Sequence, residues 1–205
     1  MKTLFLTLGL IAMLALGAAA QDEATTGIVG KGIKAGINMA NITGDDVDDL
    51  DMKLGFGFGG FLVYAVSPQL VIQPEVLYMM KGAQFDDEDG ETWKIKVDYL
   101  EIPVLVKFKF PTEGNFKPCL FAGPALGILM SAKVEDEDIK DDLKSIDFGL
   151  AFGGGFGLVM GEGMLTFDAR YTLGMSNVND WDVEEGETLP DNKNANISIM
   201  LGYSF

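Results

Sequence analysis

Five charged residues lie on the polar side of alternating apolar segments, and their types could form a buried ion network. Each stands between two apolar neighbours, and they are Glu75, Glu101, Lys107, Asp168 and Arg170. Along an extended chain successive side chains point to opposite faces, so these charges would share one face of their strands. We favour mutual pairing, because an unpaired buried ion costs several kcal/mol. A narrow, gated ion path or a proton site is the alternative interpretation of the same residues.

The composition excludes the commonest catalytic and metal chemistry. The 205-residue chain has no histidine, and its single cysteine is Cys119. Histidine is the usual general base and metal ligand, so a Ser-His-Asp triad cannot be built. One cysteine cannot form an internal disulfide. We therefore predict no catalytic residue, no metal site and no cofactor.

The amino-terminal segment has the pattern of a secretory signal peptide. Lys2 is followed by an apolar run and then by Ala18, Ala19 and Ala20, the small residues that precede a cleavage site. The run is shorter than the roughly 20 residues a membrane helix needs. We predict a signal peptide over 1–20, a short periplasmic lead over 21–31, and a single β domain over 32–205.

Period-two alternation recurs through the rest of the chain and positions the charged residues. Eight segments show it or are apolar throughout: 33–40, 54–65, 69–81, 99–109, 119–130, 146–160, 164–174 and 196–205. About ten residues suffice for a tilted strand to cross a bilayer. In the segment 119–130 both the odd-numbered and the even-numbered residues are largely apolar. The sequence therefore does not decide which of these two sets, or parities, faces inward. We predict an all-β, eight-stranded, antiparallel up-and-down transmembrane β-barrel with both termini periplasmic.

The connections between these segments alternate in length. Four long ones, at about 41–53, 82–98, 131–145 and 177–193, contain most of the 31 acidic residues. The short ones cover 66–68, 110–118 and 161–163. Outer-membrane barrels have long extracellular loops and short periplasmic turns, so we predict acidic extracellular loops. The formal net charge of −16 also excludes nucleic acid as a partner, since phosphate binding needs clustered Lys and Arg.

A membrane barrel and a soluble barrel differ in the direction in which the apolar side of each strand points, outward in the first and inward in the second. A soluble barrel would expose a richly charged outer face, yet here the polar parity is largely glycine, as at Gly55, Gly57, Gly153 and Gly155. Rows of exposed aromatic residues would also favour aggregation in water. We predict that the apolar face meets lipid and that glycine fills a narrow bore.

Aromatic residues on the apolar parity approach the rim formed by the short turns. They are Tyr64, Phe108, Phe167, Tyr203 and Phe205, and this common level predicts an interfacial aromatic girdle. Two prolines are exceptions to the strand pattern. Pro74 and Pro103 lack the N–H that a ladder requires, so we expect a bulge or a rim position near each.

Two motifs carry a resemblance to a known family: Tyr-Leu-Glu-Ile-Pro at 99–103 and Arg-Tyr-x-Leu-Gly at 170–174. With the segments around them, which cover essentially the whole mature chain, they resemble the PorT-like outer-membrane β-barrel proteins of Bacteroidetes-type bacteria. The resemblance implies an eight-stranded outer-membrane barrel, with Glu101 and Arg170 at matching family positions. Phe205 is similar to the carboxyl-terminal signal that the barrel assembly machinery reads. The name-giving member of the family is linked to protein secretion.

Two classes of function remain open from the sequence. The first is a non-enzymatic outer-membrane protein of a Gram-negative bacterium, with a structural or partner-binding role in the envelope. Its partners would be outer-membrane lipid and lipopolysaccharide, the assembly machinery during biogenesis, and an envelope protein. A secretion-system component is a variant of this class. The second class is a lipid-modifying outer-membrane enzyme, which the lack of histidine disfavours.

Overall fold

Antiparallel strands make up most of the chain that the computed structural model describes, which is residues 26–45, 47, 50–86, 90–135, 137–180, 188 and 190–205. These residues form eight long strands: β1 Gly27–Gly44, β2 Asp51–Ala65, β3 Leu70–Asp86, β4 Thr92–Lys109, β5 Phe116–Val134, β7 Ile146–Met160, β8 Gly163–Gly174 and β9 Asn192–Ser204. A two-residue strand, β6 Glu137–Asp138, pairs with the end of β5 and precedes a 3-10 helix, Lys140–Asp142. Among the described residues, no helix is both long and apolar enough to span a bilayer. The predicted signal peptide, 1–20, lies outside the described residues.

The strands close into a barrel. Each long strand pairs antiparallel with its sequence neighbours, and β1 also pairs with β9, with Ile37 opposite Ile199. Closure leaves no sheet edge, which lipid would not tolerate because unpaired backbone groups there cost several kcal/mol each. The predicted all-β, eight-stranded antiparallel barrel is confirmed.

The apolar parity faces outward, as the glycine-rich polar parity predicts. Phe56, Phe152 and Ile199 are 58 %, 42 % and 39 % exposed on the outer surface, whereas Asp168 and Arg170 are buried in the lumen. A soluble barrel would reverse this arrangement. On β5, whose facing the sequence left undecided, apolar residues lie on both faces: Phe121 and Leu129 face the lumen, and Leu120 and Met130 face outward.

Glycine allows neighbouring strands to approach closely in this narrow barrel. A Cβ atom added to Gly36 would lie 2.0 Å from the Ile199 carbonyl oxygen, and one added to Gly59 would lie 2.0 Å from the Val76 carbonyl oxygen. No larger residue fits at these positions without displacing backbone. Glycine at these lumen-facing positions therefore permits the close pairing of adjacent strands, and it leaves space in the bore for the long side chains that fill it.

Several predicted strand ends are wrong, and most strands are longer than predicted. β1 begins at Gly27, inside the predicted periplasmic lead, because residues 27–31 continue the pairing with β2. The loop predicted at 82–98 is mostly a β-hairpin, since β3 runs to Asp86 and β4 starts at Thr92. Its arms pair from Gly82 opposite Lys96 to the end of the hairpin. In the β4 arm Trp93, Ile95 and Val97 alternate with lysine, but they are odd-numbered, whereas the apolar set of the predicted strand 99–109 is even-numbered.

Pro74 and Pro103 lie inside β3 and β4, and neither causes a bulge, which was one of the two expectations beside a rim position. The β3–β4 register is the same at Pro74, opposite Val104, as at Leu77, opposite Glu101. Pairing is interrupted between these two points but does not shift. A proline removes only its own ladder donor, and the flanking pairs hold the register. The β4–β5 ladder shifts instead at Asp98 and Tyr99.

Candidate functional site in the barrel lumen

Two carboxylates and three cations form one ion network in the lumen. Lys34 Nζ lies 2.8 Å from Glu75 Oε1 and 2.7 Å from Asp168 Oδ2. Lys107 Nζ lies 3.0 Å from Asp168 Oδ1, and Arg170 Nη2 donates to Glu75 Oε2 at 2.8 Å. No side chain of the five is more than 7 % exposed. Each carboxylate therefore bridges two cations, which satisfies the demand that buried charges be paired. We call these five residues the lower network, because they lie nearer the short turns.

Four different strands bring the lower network together, and glycine makes room for it. Its residues come from β1, β3, β4 and β8, and each of its ion pairs joins two strands that are not paired with each other in the sheet, so these contacts cross the bore. A Cβ atom on Gly155 would lie 2.7 Å from Asp168 Oδ1, and one on Gly153 would lie 2.9 Å from the Phe121 ring. The glycine-rich β7 thus supplies the volume that the Asp168 carboxylate and the Phe121 ring occupy.

Aromatic rings in the lumen support the cations of the lower network. Lys107 Nζ lies 4.7 Å from the centre of the Phe121 ring, and the Arg170 guanidinium lies 5.7 Å from the same ring. Lys34 Nζ lies 5.1 Å from the centre of the Phe61 ring. Cation–π contacts of this kind are worth up to about 2 kcal/mol when desolvated, so they hold the cations in place as well as stabilise them.

A second polar group, the upper cluster, lies nearer the long loops and consists of Lys81, Tyr99, Glu101, Asp147 and Asn194. Lys81 and Glu101 form an ion pair, and Lys81 Nζ lies 5.3 Å from the Tyr99 ring centre. Asn194 Nδ2 donates to Asp147 Oδ2 at 2.8 Å and to the Tyr99 hydroxyl at 3.2 Å. Across the two groups the buried charges balance, with four cations and four carboxylates: Lys34, Lys81, Lys107, Arg170, Glu75, Glu101, Asp147 and Asp168.

The loop end of the lumen is covered by an apolar cap. Val97, Tyr99, Leu129 and Ala132 form a buried cluster, and Ile139 and Leu143 from the connection between β5 and β7 pack against it. That connection is tied to the one between β8 and β9, since Lys144 N–H donates to the Val178 carbonyl and Asp180 N–H to the Asp142 carbonyl, both at 2.8 Å. The described parts of these two loops therefore form one ordered cover.

The structure brings four of the five predicted site residues together and separates the fifth. Glu75, Lys107, Asp168 and Arg170 belong to the lower network, whereas Glu101 pairs with Lys81 in the upper cluster. The main residues missed from the sequence are Lys34, Lys81 and Asp147, together with Gln73, which donates to Glu75 at 2.6 Å. All four lie on the polar parity of their strands, so the same alternation rule contained the signal for them.

The predicted girdle residues all face outward. Tyr203 and Phe205 have ring centres 6.5 Å apart, and Phe167 stacks on Phe156 at 5.3 Å. Phe108 packs edge-on against Phe110 at 5.3 Å beside the β4–β5 turn, and Tyr64 lies near the β2–β3 turn, opposite Ile72. Their interfacial role stays a prediction. Many acidic residues of the predicted loops lie outside the described residues: Asp46, Asp48, Asp49, Asp87, Glu88, Asp89, Asp136, Asp182, Glu184, Glu185 and Glu187.

Comparison with known proteins identifies the class of barrel. A sequence model described as "Outer membrane protein beta-barrel domain" matches residues 19–180. The structure is similar to Neisserial surface protein A, with 18 % identity and a TM-score of 0.57 over 87 % of this chain and 99 % of that one. It is also similar to the outer membrane protein OprG from Pseudomonas aeruginosa, with 14 % identity and a TM-score of 0.51 over 89 % and 99 %. At such identities the likeness shows the fold alone. None of the curated proteins compared with the sequence matches it.

Proposed function

This chain belongs to the outer-membrane protein β-barrel domain family, and on that premise we propose that it is a non-enzymatic barrel that presents its acidic loops to an envelope partner. The protein is located in the outer membrane of a Gram-negative bacterium. In this proposal both termini and the short turns are periplasmic, and the long connections are extracellular.

One observation carries the proposal, namely that side chains fill the bore at two levels. The lower network spans the lumen with five charged groups that pair with one another. Above it, the apolar cluster around Tyr99 and Leu129 underlies the loop cover. An eight-stranded barrel is just wide enough for side chains to fill it. The architecture thus supports a role performed at the rim rather than by transport through the bore.

We expect purified protein in planar bilayers to give no large, long-lived conductance. An ion would have to displace the paired charges of Glu75 and Asp168 from their cations, which leaves buried ions unpaired. Bilayers containing a porin provide the positive control. Folded protein is verified by its altered migration on unheated gels. Stable open-channel steps from the folded wild type would contradict a role confined to the rim.

Photocrosslinking in living cells tests the partner-binding part of the proposal. A photoreactive residue replaces Glu137 in the connection between β5 and β7, and a matched control replaces Glu162 in the β7–β8 turn, on the opposite rim. We expect adducts with an envelope protein or lipopolysaccharide from position 137 only. Identical adducts from both positions, or none from position 137, would contradict loop-mediated binding. Adducts with secretion proteins would support the narrower role that the PorT-like resemblance implies.

The non-enzymatic part has its own test. Lipid A and phospholipids extracted from cells with and without the gene are compared by mass spectrometry. We expect identical acyl compositions, because an acyl-transfer site would have to work without histidine. A gene-dependent change in acylation that purified protein reproduces would replace the proposal with a lipid-modifying enzyme.

A further inference from the structure

Buried polar atoms without hydrogen-bond partners concentrate between the lower network and the upper cluster. Among the described residues they include side-chain atoms of Asn38, Asn196, Ser198 and Thr172, none of which is more than 5 % exposed. Arg170 Nε in the lower network and Glu101 Oε1 in the upper cluster are also without a partner. Such atoms normally find a partner in the protein or in ordered water, so their clustering in one part of the lumen requires an explanation.

The strand register places these groups beside one another. Ser198 on β9 is opposite Asn38 on β1 and opposite Arg170 on β8. One step nearer the loops, Asn196 is opposite Thr172. The four uncharged side chains therefore form one polar patch on the lumen wall, which reaches from the Arg170 guanidinium toward the upper cluster.

A small cavity adjoins this patch. Its volume is about 10 Å³, and Lys81, Glu101, Asp147, Thr172 and Asn194 line it together with small residues. The two unpartnered oxygens, Glu101 Oε1 and Thr172 Oγ1, belong to residues on its wall. A cavity of roughly 10–15 Å³ with two to four polar neighbours can hold one water molecule, and this cavity meets both conditions.

The unpartnered atoms also define what kind of ligand they accept. Asn38 Nδ2, Asn196 Nδ2 and Arg170 Nε can only donate, whereas Asn38 Oδ1, Asn196 Oδ1 and Glu101 Oε1 can only accept. A metal cation would satisfy only the acceptors, and a halide only the donors. Water donates and accepts, and the balanced charges of the surrounding lumen provide no net attraction for an ion.

We propose that the lumen contains a built hydration site, in which one water bridges Glu101 and Thr172 and further waters join Asn196, Ser198 and Asn38 to Arg170. These waters link the two ionic layers into one hydrogen-bonded column inside a closed barrel. The site goes beyond the proposed function and does not depend on what the loops bind. Bound water accounts for the polar residues Asn196 and Ser198 on the lumen face of β9, where apolar side chains could otherwise pack.

Water contacts in the wild-type protein test the site directly. In lipid nanodiscs, NMR cross-relaxation between water and side-chain amide protons is measured for Asn38 and Asn196. We expect cross-peaks of the sign that long-lived bound water gives at both residues. Gln73 is the control, since its amide is buried and bonded to Glu75, and it should show weaker transfer. Absence of water contacts at both Asn38 and Asn196 would overturn the proposal.

A matched pair of substitutions on β8 gives an independent result. Thr172→Val removes a hydroxyl that binds the proposed water, and Thr166→Val makes the same change at a lumen position outside the patch. We expect Thr172→Val to lower the melting temperature by about 2–4 °C relative to Thr166→Val, the shift for one lost hydrogen-bonding group in a chain of this size. If the hydroxyl were dry and unpaired, its removal would leave the melting temperature equal to or above the control, which would overturn the hydration site. Should either variant fail to fold, the wild-type NMR measurement decides.

Discussion

Replacing Asp168 with asparagine is expected to lower the free energy of unfolding by about 3–5 kcal/mol, the cost of breaking a buried ion pair from one side. The Asp168 carboxylate contacts both Lys34 and Lys107, and its side chain is 3 % exposed. Asparagine keeps the shape but removes the charge, so two buried ammonium groups lose a counter-ion. Urea unfolding in lipid vesicles, followed by the altered migration of folded barrels on unheated gels, measures the change.

An exposed acid provides the matched control for Asp168→Asn. Asp191 pairs with Lys193 near the loop end, but its side chain is 54 % exposed, so Asp191→Asn should cost less than about 1 kcal/mol. Adding Lys107→Met to Asp168→Asn removes one of the two cations that lost their counter-ion, so it should restore part of the lost stability. Equal stabilities for Asp168→Asn and Asp191→Asn would show that the lower network does not hold the barrel together.

Replacing Phe152 with arginine is expected to cost about 2–4 kcal/mol of unfolding free energy, as arginine does at the midplane of a barrel's lipid-facing surface. Phe152 is central in β7 and points outward beside the Tyr171 ring, with ring centres 5.5 Å apart. Arginine there must be desolvated by hydrocarbon or draw water into the bilayer. The same vesicle-unfolding measurement applies.

The control for Phe152→Arg is the same substitution at the rim. Phe116 is the first residue of β5, next to a short turn, and is 48 % exposed. Because the cost of arginine falls to about 0–1 kcal/mol near the interface, Phe116→Arg should be nearly neutral. If Phe152→Arg lowered the unfolding free energy no more than Phe116→Arg does, the outer surface of β7 would not be in contact with lipid.

Alternation in the sequence is enough to predict which face each strand turns to the lumen. On β7, glycine and aspartate alternate with Phe148 and Phe152, and this period is set by the backbone rather than by tertiary contacts. The outward facing of the apolar parity was therefore predictable before any strand was paired. On β5, apolar residues on both parities removed the signal, and the small residues Gly123 and Ala125 mark the lumen face only once the barrel is known to be narrow.

Alternation alone does not predict which inward residues meet. Glu75 and Glu101 share the lumen face of adjacent strands, yet the β3–β4 register sets Leu77 opposite Glu101. Glu75 is thereby aimed at Arg170 and Lys34, and Glu101 at Lys81. Register depends on how far neighbouring strands slide along each other, which the period of two does not record. The sequence thus indicated the members of the polar lumen better than their partners.

The loop cover could not be predicted from local pattern at all. It depends on bonds between two connections far apart in the chain, as in the bridge between Leu143 and Asn179. Within the second of these connections, Asn177 and Asn179 both donate to the Pro190 carbonyl, at 2.8 and 3.0 Å. In the sequence these residues stand in polar, irregular segments without periodicity. Only the folded barrel brings the segments to one rim.

Hydrocarbon-facing side chains coat the outside of the barrel, whereas charged, polar and some packed apolar side chains fill its inside. Tryptophan fluorescence in brominated lipid measures this sidedness. Phe152 and Phe121 suit the test because they stand at neighbouring register positions on β7 and β5, with Phe121 opposite Gly153 and Phe152 opposite Ala122. Phe152 is 42 % exposed on the outer face, and Phe121 is 4 % exposed in the lumen. In a chain with Trp93 and Trp181 changed to phenylalanine, each position receives a single tryptophan. We expect strong quenching of Phe152→Trp by bromine at mid-chain depth and little quenching of Phe121→Trp. Quenching of Phe121→Trp with protection of Phe152→Trp would contradict this sidedness.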